Sequence, residues 1–176
     1  LSSMGAKVIK VEQPGVGDYY RVQIPEGINL GGGFFENLHA GHQSITLDLK
    51  QPSGPAILLK LIKTADVVME SFRPGTLQRL GFSFAKLKKA NKKIILCSIT
   101  GYGQKGPKSG LAGHDLNFLA DSGLYSLLDP AGTVIPDFQM VDLAAGYEAV
   151  LAILQQLTVP KAKRRAVWLD VSMQSA

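Results

Sequence analysis

Two side chains capable of acid–base chemistry stand where helices are predicted to begin. His114 precedes an apolar periodic run, and Asp142 begins a stronger one. A histidine titrates near neutrality and a carboxylate opposite it can take or return a proton, so the two residues are candidates for an acid–base pair. Each also has a structural interpretation. Asp142 is a suitable helix N-cap, and His114 is equally suited to be a surface histidine or a buried one with satisfied hydrogen bonds.

Two loops that follow predicted strands offer binding groups. Phe72-Arg73-Pro74-Gly75 presents an aromatic face and a guanidinium group, which suit an adenine ring and a phosphate, although an exposed turn explains the same residues. Gly101–Pro107 contains three glycines and Lys105, so its N–H groups are candidates to meet an anion or a carbonyl oxygen. A plain flexible loop is the alternative for that segment.

The remaining reactive side chains favour structural roles. Cys97 lies inside an apolar strand with no base nearby in the sequence, which predicts a core residue and not a nucleophile. His39 and His42 have no carboxylate or cysteine at ligand spacing, so no metal site is predicted. A single cysteine excludes an internal disulfide framework and fits a reducing compartment, from which we expect a cytoplasmic protein.

Strands and helices alternate along the chain, which predicts an α/β fold with a largely parallel sheet. Strands are predicted over Lys7–Glu12, Ser44–Lys50, Asp66–Ser71, Ile94–Thr100 and Val167–Met173. Helices are predicted from Pro52–Pro55 onward, with Leu58, Leu61, Ile62 and Ala65 on one face, and over Thr76–Leu80, Phe84–Asn91, His114–Leu128 and Asp142–Leu157. The last of these is expected to bury Val150, Leu151, Leu154 and Leu157. Residues 13–43 are expected to be irregular, with Gly31–Gly33 as a turn.

Length and charge narrow the classes of partner. The 176 residues correspond to one domain or part of one, and no apolar run is long enough to span a bilayer. Residues 60–93 contain nine Lys or Arg residues against two acidic ones. This window is explained by a solvated helix face or by a small phosphorylated ligand. Its aromatic residues are Phe72, Phe82 and Phe84, two of which fit core positions that flank helices, so neither a nucleic-acid nor a membrane partner is expected.

Several strings, taken in order, carry a family resemblance. They are Gly5–Glu12, Ser44–Lys50, Ala65–Gly75, Leu80–Phe82, Ser98–Pro107, Asp142–Gly146 and Leu169–Met173. This succession resembles the family III CoA-transferase (CaiB/BaiF) superfamily. Ala112–Ala120 is similar to the α-methylacyl-CoA racemase branch, in which a histidine precedes the aspartate. The resemblance implies a Rossmann-like α/β fold.

The resemblance also implies two chemistries for the same residues. In the racemase branch, residues matching His114 and Asp142 exchange the proton on the carbon alpha to a CoA thioester, here expected to be a 2-methylacyl-CoA. In the transferases, the aspartate matching Asp142 is a nucleophile that forms an aspartyl-CoA thioester while CoA moves between carboxylic acids. We expect the racemase activity, with the transferase as one alternative and an inactive fragment or interaction domain as another. CoA is implied as part of the substrate, and no permanently bound cofactor is implied.

The resemblance assigns the CoA contacts and the organisation of the protein. The implied contacts are Gly41, His42, Gln43, Ser44, Glu70, Phe72, Arg73, Gly113, Asp115, Leu116, Asn117 and Phe118. Family members are about twice as long as this chain. Residues 1–176 are therefore expected to be a partial CoA-binding domain, incomplete at both ends, that is inactive in isolation. The resemblance further implies a second, smaller domain outside these residues and an interlocked homodimer. Mitochondrial and peroxisomal locations stay open beside the cytoplasmic one.

Overall fold

The computed structural model describes residues 1–21 and 33–176, except for the side chain of Phe34. Gly31 and Gly32 of the predicted turn lie outside the described residues. The chain divides into two compact units, Leu1–Leu58 and Leu59–Ala176, and each is described by itself.

The first unit is built on two parallel strands. Strand β1 (Ile9–Glu12) pairs with strand β2 (Gln43–Thr46), with Ile9 opposite Gln43 and Glu12 opposite Thr46. The predicted strand Ser44–Lys50 is too long, because the Asp48 carboxylate accepts a hydrogen bond from the Lys50 amide at 2.9 Å and folds a turn there.

The expectation that residues 13–43 are irregular is wrong in two places. Tyr19–Arg21 form a 3₁₀ turn and Gly33–Leu38 form helix α1. Contacts of aromatic rings accompany them. The Arg21 guanidinium lies 3.8 Å from the centroid of the Phe35 ring, and that ring lies 4.4 Å from the ring of His39. The contact of Arg21 with Phe35 has no local sequence signature, whereas Phe35 and His39 are four residues apart, the spacing of neighbours on a helix.

The second unit is a three-stranded parallel sheet with helices around it. Helix α2 (Ser53–Thr64) contains the boundary between the units. It is followed by β3 (Val67–Glu70), α3 (Thr76–Arg79), α4 (Phe84–Ala90), β4 (Ile95–Thr100), α5 (Asp115–Asp121), α6 (Leu124–Leu128), α7 (Met140–Leu157) and β5 (Val167–Ser172). The strand order is β3-β4-β5 and both pairings are parallel, which confirms the predicted α/β class with a parallel sheet and flanking helices.

Strand β4 is the centre of this sheet, because it pairs with a strand on each side. Ile95, Leu96, Cys97 and Ser98 are all buried, as expected for a strand covered on both faces. The buried hydroxyl of Ser98 accepts a hydrogen bond from the indole Nε1 of Trp168 on β5 at 3.0 Å. The Trp168 ring is 42% exposed and lies 5.9 Å from the ring of Phe84 on α4, centroid to centroid.

Helix α7 buries a different face from the predicted one. The buried residues are Val141, Ala145, Ala149 and Ile153, while Leu151 is 67% exposed. The prediction followed the largest apolar residues. The helix instead turns Ala145 and Ala149 toward the interior, and small side chains allow a helix to approach its neighbours closely. The face expected from Val150, Leu151, Leu154 and Leu157 was therefore wrong.

The predicted helix His114–Leu128 is two helices. Helix α5 ends at Asp121, and α6 begins at Leu124. Gly123 between them has φ +81°, a left-handed conformation that glycine adopts without a steric penalty and that ends a helix. The Ser122 hydroxyl donates to the Leu119 carbonyl at 2.8 Å at the same point. The Ser-Gly pair is thus the break that the helical periodicity concealed.

Candidate active site

A cavity of about 480 Å³ opens at the carboxyl end of β4 in the second unit. Ligands of open parallel sheets bind at this end of the strands, in the loops that follow them. The lining residues are Ser71, Phe72, Arg73, Pro74, Ile99, Thr100, Gly101, Ser109, Leu111, Ala112, Gly113, His114, Asn117, Phe118, Asp142 and Met173. Both members of the predicted acid–base pair therefore face the same cavity.

His114 reaches the cavity because it is the N-cap of α5, as its predicted place at a helix start requires. Its backbone N–H donates to Oδ1 of Asn117 at 2.9 Å, and the Asn117 N–H donates back to the His114 carbonyl at 2.9 Å. These two bonds satisfy groups that a helix start leaves unpaired. The imidazole itself is exposed, where a bound molecule has access to it.

Asp142 lies in the first turn of α7, and its interpretation as an N-cap is wrong. The helix begins at Met140, with Gln139 as the N-cap. The half-buried Asp142 carboxyl has a raised pKa, first because burial disfavours its charge and second because Asp115 is negative nearby. His114 acts in the opposite direction and lowers that pKa. Burial and Asp115 therefore favour the protonated, uncharged form of this side chain over the carboxylate.

Asp115 connects the starts of the two helices. It is 8% exposed, and its Oδ1 accepts hydrogen bonds from the backbone amides of Val141 at 2.7 Å and Asp142 at 2.8 Å. The predicted CoA contact at Asp115 is therefore a carboxylate with one oxygen already bonded to the protein.

Phe118 forms a wall of the cavity, and two glycines leave room for its ring. The ring is 4% exposed and meets Tyr102 edge to face, with centroids 5.1 Å apart. A Cβ on Gly101 would lie 2.3 Å from the Phe118 ring, and a Cβ on Gly113 would lie 2.7 Å from it. Both distances are far shorter than a carbon–carbon contact permits. Glycine is required at both positions because the Phe118 ring approaches the backbone too closely there for a side chain.

Phe72 and Arg73, two of the predicted CoA contacts, line the cavity from the turn after β3. Both are exposed, and Arg73 forms no ion pair with any residue that the structure describes. The Glu70 carboxylate accepts a hydrogen bond from the Phe72 amide at 2.8 Å and so shapes the turn. Glu70 lines a second cavity of about 200 Å³, together with Arg73, Phe84 and Trp168.

The other predicted CoA contacts, Gly41–Ser44, belong to the first unit. Gly41 has φ +77° in the turn before β2, and His42 Nδ1 lies 3.2 Å from Nδ1 of His39. Burial and the charge of Lys10 lower the pKa of His42. The Ser44 hydroxyl donates a hydrogen bond to the Glu12 carboxylate, which also binds Arg21 through two nitrogens at 2.8 and 2.9 Å.

Some residues of the site differ from those predicted. Leu116 is 39% exposed and does not line the cavity. Thr100, Ser71, Ser109 and Met173 line it without having been predicted. Thr100 ends β4, and its Oγ1 is buried without a hydrogen-bond partner in the described part of the chain. Of these four residues, only Thr100 could have been predicted from the sequence, because it is a polar residue at the end of a buried strand.

Other reactive groups lie away from this chemistry. Cys97 is fully buried, and burial raises the pKa of its thiol to about 11, which confirms its prediction as a core residue. Across residues 1–21 and 33–176, no group of three or more His, Cys, Asp or Glu side chains is arranged to hold a metal ion. None of the helices in those ranges has the length and apolar character needed to cross a membrane.

Known proteins resemble this chain over all or part of its length. It is 36% identical to the mouse succinyl-CoA:glutarate CoA-transferase over 178 residues, covering 100% of this chain and 41% of that protein. It is 48% identical over 103 residues to the formyl-CoA:oxalate CoA-transferase of Rhodopseudomonas palustris (strain BisA53), covering 58% of this chain and 24% of that protein.

Solved structures agree with the sequence relatives. A CaiB/BaiF family protein from Brucella suis superposes with a TM-score of 0.84 at 30% identity, covering 97% of this chain and 47% of that one. The chain thus spans less than half the length of these relatives. The profile of CoA-transferase family III matches residues 1–176. The family predicted from the ordered strings is therefore confirmed, and this chain belongs to CoA-transferase family III.

Proposed function

We propose that the protein containing this chain moves CoA between carboxylic acids, with Asp142 as a covalent nucleophile. One observation supports this most: the Asp142 carboxyl lies in the wall of a cavity large enough for a thioester group, at the carboxyl end of a parallel sheet. The names of the relatives favour transfer over the racemase activity that the His-Asp string predicts, because those relatives are CoA-transferases.

The proposed reaction uses the Asp142 carboxylate in four balanced steps. The carboxylate attacks the thioester carbonyl, and the C–S bond breaks to release CoA thiolate and leave an acyl-aspartyl anhydride. The thiolate attacks the aspartyl carbonyl of the anhydride and expels the first carboxylate, giving an aspartyl-CoA thioester. The acceptor carboxylate attacks this thioester and again releases thiolate. The thiolate then takes the new acyl group and frees Asp142.

The raised pKa of Asp142 supports this role. A carboxylate whose charge is disfavoured by burial is a better nucleophile than a fully hydrated one, because less solvation is lost on attack. Arg73 and Phe72 are proposed to contact CoA from the turn after β3, and Gly113, Asn117 and Phe118 from the start of α5. CoA enters as part of the substrate, and no resident cofactor is required.

Trapping with hydroxylamine tests the covalent step. Hydroxylamine added during incubation with an acyl-CoA and an acceptor acid is expected to convert Asp142 into a hydroxamate, which peptide mass spectrometry locates. Asp142→Asn is expected to give no adduct. Asp137→Asn, an exposed aspartate that does not line the cavity, is the matched control and should be trapped as in the wild type. An unmodified Asp142 during active turnover would contradict the proposal.

A second candidate, racemisation of a 2-methylacyl-CoA, is favoured by His114. Its side chain shares the cavity with Asp142 and acts electrostatically on that carboxyl. In this reaction one side chain removes the α-proton and the other returns a proton on the opposite face. Deuterium from solvent would enter the α-carbon, His114→Ala and Asp142→Asn would each abolish exchange, and hydroxylamine would trap nothing. The two experiments together separate the candidates.

We also propose that the protein acts as a homodimer in the cytoplasm. Support for association comes from apolar side chains that the second unit leaves exposed, namely Leu127 at 79%, Tyr147 at 71% and Leu151 at 67%. Large exposed apolar areas are typical of interaction surfaces. Sedimentation equilibrium of the purified protein is expected to give twice the protomer mass, and a monomer across the micromolar range would contradict the dimer.

A further inference from the structure

The carboxylate of Asp115 is bonded to the helix that carries Asp142. Its Oδ1 accepts from two consecutive amides of α7, those of Val141 and Asp142, while its own backbone begins α5. We propose that Asp115 is a positioning residue that holds Asp142 against His114 by joining the starts of α5 and α7. The proposal rests on the proposed function only in taking Asp142 as the reactive group.

The need for this bond follows from the start of α7. The first turn of a helix has amides with no intrahelical acceptor, and a side chain at the N-cap usually satisfies one of them. Gln139, the N-cap of α7, makes no such bond with its side chain. Asp115 supplies the missing acceptor from another helix, and the interaction is buried. Asp115 directly follows His114 in the sequence. The backbone at the start of α5 therefore positions His114 and, through the Asp115 side chain, also Asp142.

The charge of Asp115 has a separate effect. Among the described residues, the titratable groups that act on Asp142 are Asp115 and His114, both at the start of α5, and they change the pKa of its carboxyl in opposite directions. The partial positive charge at the N-terminus of α7 favours both carboxylates. Position and charge are therefore two distinct contributions of one side chain, and substitutions separate them.

Two variants divide these contributions. Asp115→Asn keeps an oxygen acceptor for both amides and removes the charge, whereas Asp115→Ala removes both. In Asp115→Ala we expect kcat to fall about 100-fold, with KM for the acyl-CoA changed much less, because displacement of a reactive group affects chemistry more than binding. Asp115→Asn is expected to recover kcat to within about tenfold of the wild type, since the hydrogen bonds are retained.

The pH profile tests the charge. Asp142 must be ionised to react, so kcat/KM rises with pH through its pKa. Removing the negative charge of Asp115 lowers that pKa, and the acid limb of kcat/KM in Asp115→Asn is expected at lower pH than in the wild type. A residue with a structural role alone would leave this limb unmoved.

Hydrogen exchange gives a reading that does not depend on activity. The amides of Val141 and Asp142 are expected to exchange faster in Asp115→Ala and as slowly as in the wild type in Asp115→Asn. Asp121→Asn is the matched control on the same helix, because Asp121 binds Tyr102 and Lys108 and does not line the cavity. It should leave kcat, the acid limb and both amides unchanged.

Each outcome decides the proposal. Wild-type kcat in Asp115→Ala overturns it, as does a 100-fold loss in Asp115→Asn with both amides protected. If Asp115→Ala does not fold, kcat and amide exchange in Asp115→Asn decide alone. If the wild type neither turns over acyl-CoA nor forms a hydroxamate, the proposed function fails, and the amide exchange then tests the bond between α5 and α7 by itself.

Discussion

Burial and the neighbouring Asp115 both disfavour the charged form of Asp142 and raise the pKa of its carboxyl. A group whose pKa is raised on folding makes the folded state less stable at every pH above that pKa. The reactivity proposed for Asp142 and this loss of stability therefore have the same physical cause. The effect is largest when the carboxyl is fully ionised and disappears as it becomes protonated.

Asp142→Asn is expected to lower turnover more than about 1000-fold while raising the free energy of unfolding at pH 7. As the pH falls through the raised pKa, the wild type recovers this stability and the difference between the two proteins shrinks. Thermal unfolding at a series of pH values measures both. Asp137→Asn should behave as the wild type throughout, and an Asp142→Asn protein less stable than the wild type at pH 7 would contradict this account.

Among the elements, the loop after β4 leaves no room for a Cβ at Gly101. Gly101→Ala places a methyl group against the Phe118 ring, so we expect a loss of about 1–3 kcal/mol in the free energy of unfolding. Gly110→Ala is the matched control, because a Cβ there meets nothing within 4 Å. Chemical denaturation compares the two. Equal stability of both variants would show that the ring moves aside freely, and Phe118→Leu combined with Gly101→Ala should restore part of the loss.

Helix α7 allows a direct test of which face it buries. Ile153→Ala removes a fully buried side chain and is expected to cost about 2–5 kcal/mol. Leu151→Ala removes the same class of side chain from a position that the second unit leaves exposed, and in the monomeric protein it is expected to change the free energy of unfolding by less than about 0.5 kcal/mol. Urea denaturation of both variants measures the difference. A larger loss of stability in Leu151→Ala than in Ile153→Ala would instead support the buried face that was predicted from the largest residues.

The elements show where sequence patterns are informative and where they are not. Strand β4 was predicted to within one residue, because a continuous apolar run bounded by glycine has few alternative conformations. The buried face of α7 was mispredicted, because size is a poor guide when alanines face the interior. Asp115 was predicted as a ligand contact, and its bonds to α7 depend on how two helix starts meet. Nothing in the local sequence encodes that meeting.

At the scale of the whole molecule, the two units are expected to respond differently to acid. The Glu12 carboxylate of the first unit binds Arg21 and Ser44, and the hydrogen bond from Arg21 contributes most to lowering its pKa to about 2. A pKa lowered from its usual value near 4.5 contributes stability above that pH, which is lost as the pH falls toward 2. The Arg21 side chain is 40% exposed, so solvent weakens its attraction to Glu12. We therefore expect the lowered pKa of Glu12 to contribute about 1–3 kcal/mol to the free energy of unfolding.

Hydrogen exchange at several pH values tests this difference. Between pH 4.5 and about 2, protection factors in β1 and β2 are expected to fall more than those in β3, β4 and β5. Glu12→Gln should lower protection of the first unit already at neutral pH and abolish its additional loss in acid. Glu148→Gln, in the second unit, is the control and should leave the first unit unchanged. Uniform loss of protection in both units would contradict the prediction.

The chain has one tryptophan, Trp168 on β5, whose ring lies beside that of Phe84 on α4. Its intrinsic fluorescence therefore reports on this one position of the protein. The indole of Trp168 donates to Ser98 and lines the second cavity beside Arg73, so its emission depends on that hydrogen bond and on water in the cavity. A molecule entering there would displace that water and shift the emission maximum to shorter wavelength. Arg73 lines both cavities, so a stopped-flow trace from this indole would time the arrival of a ligand without any added label.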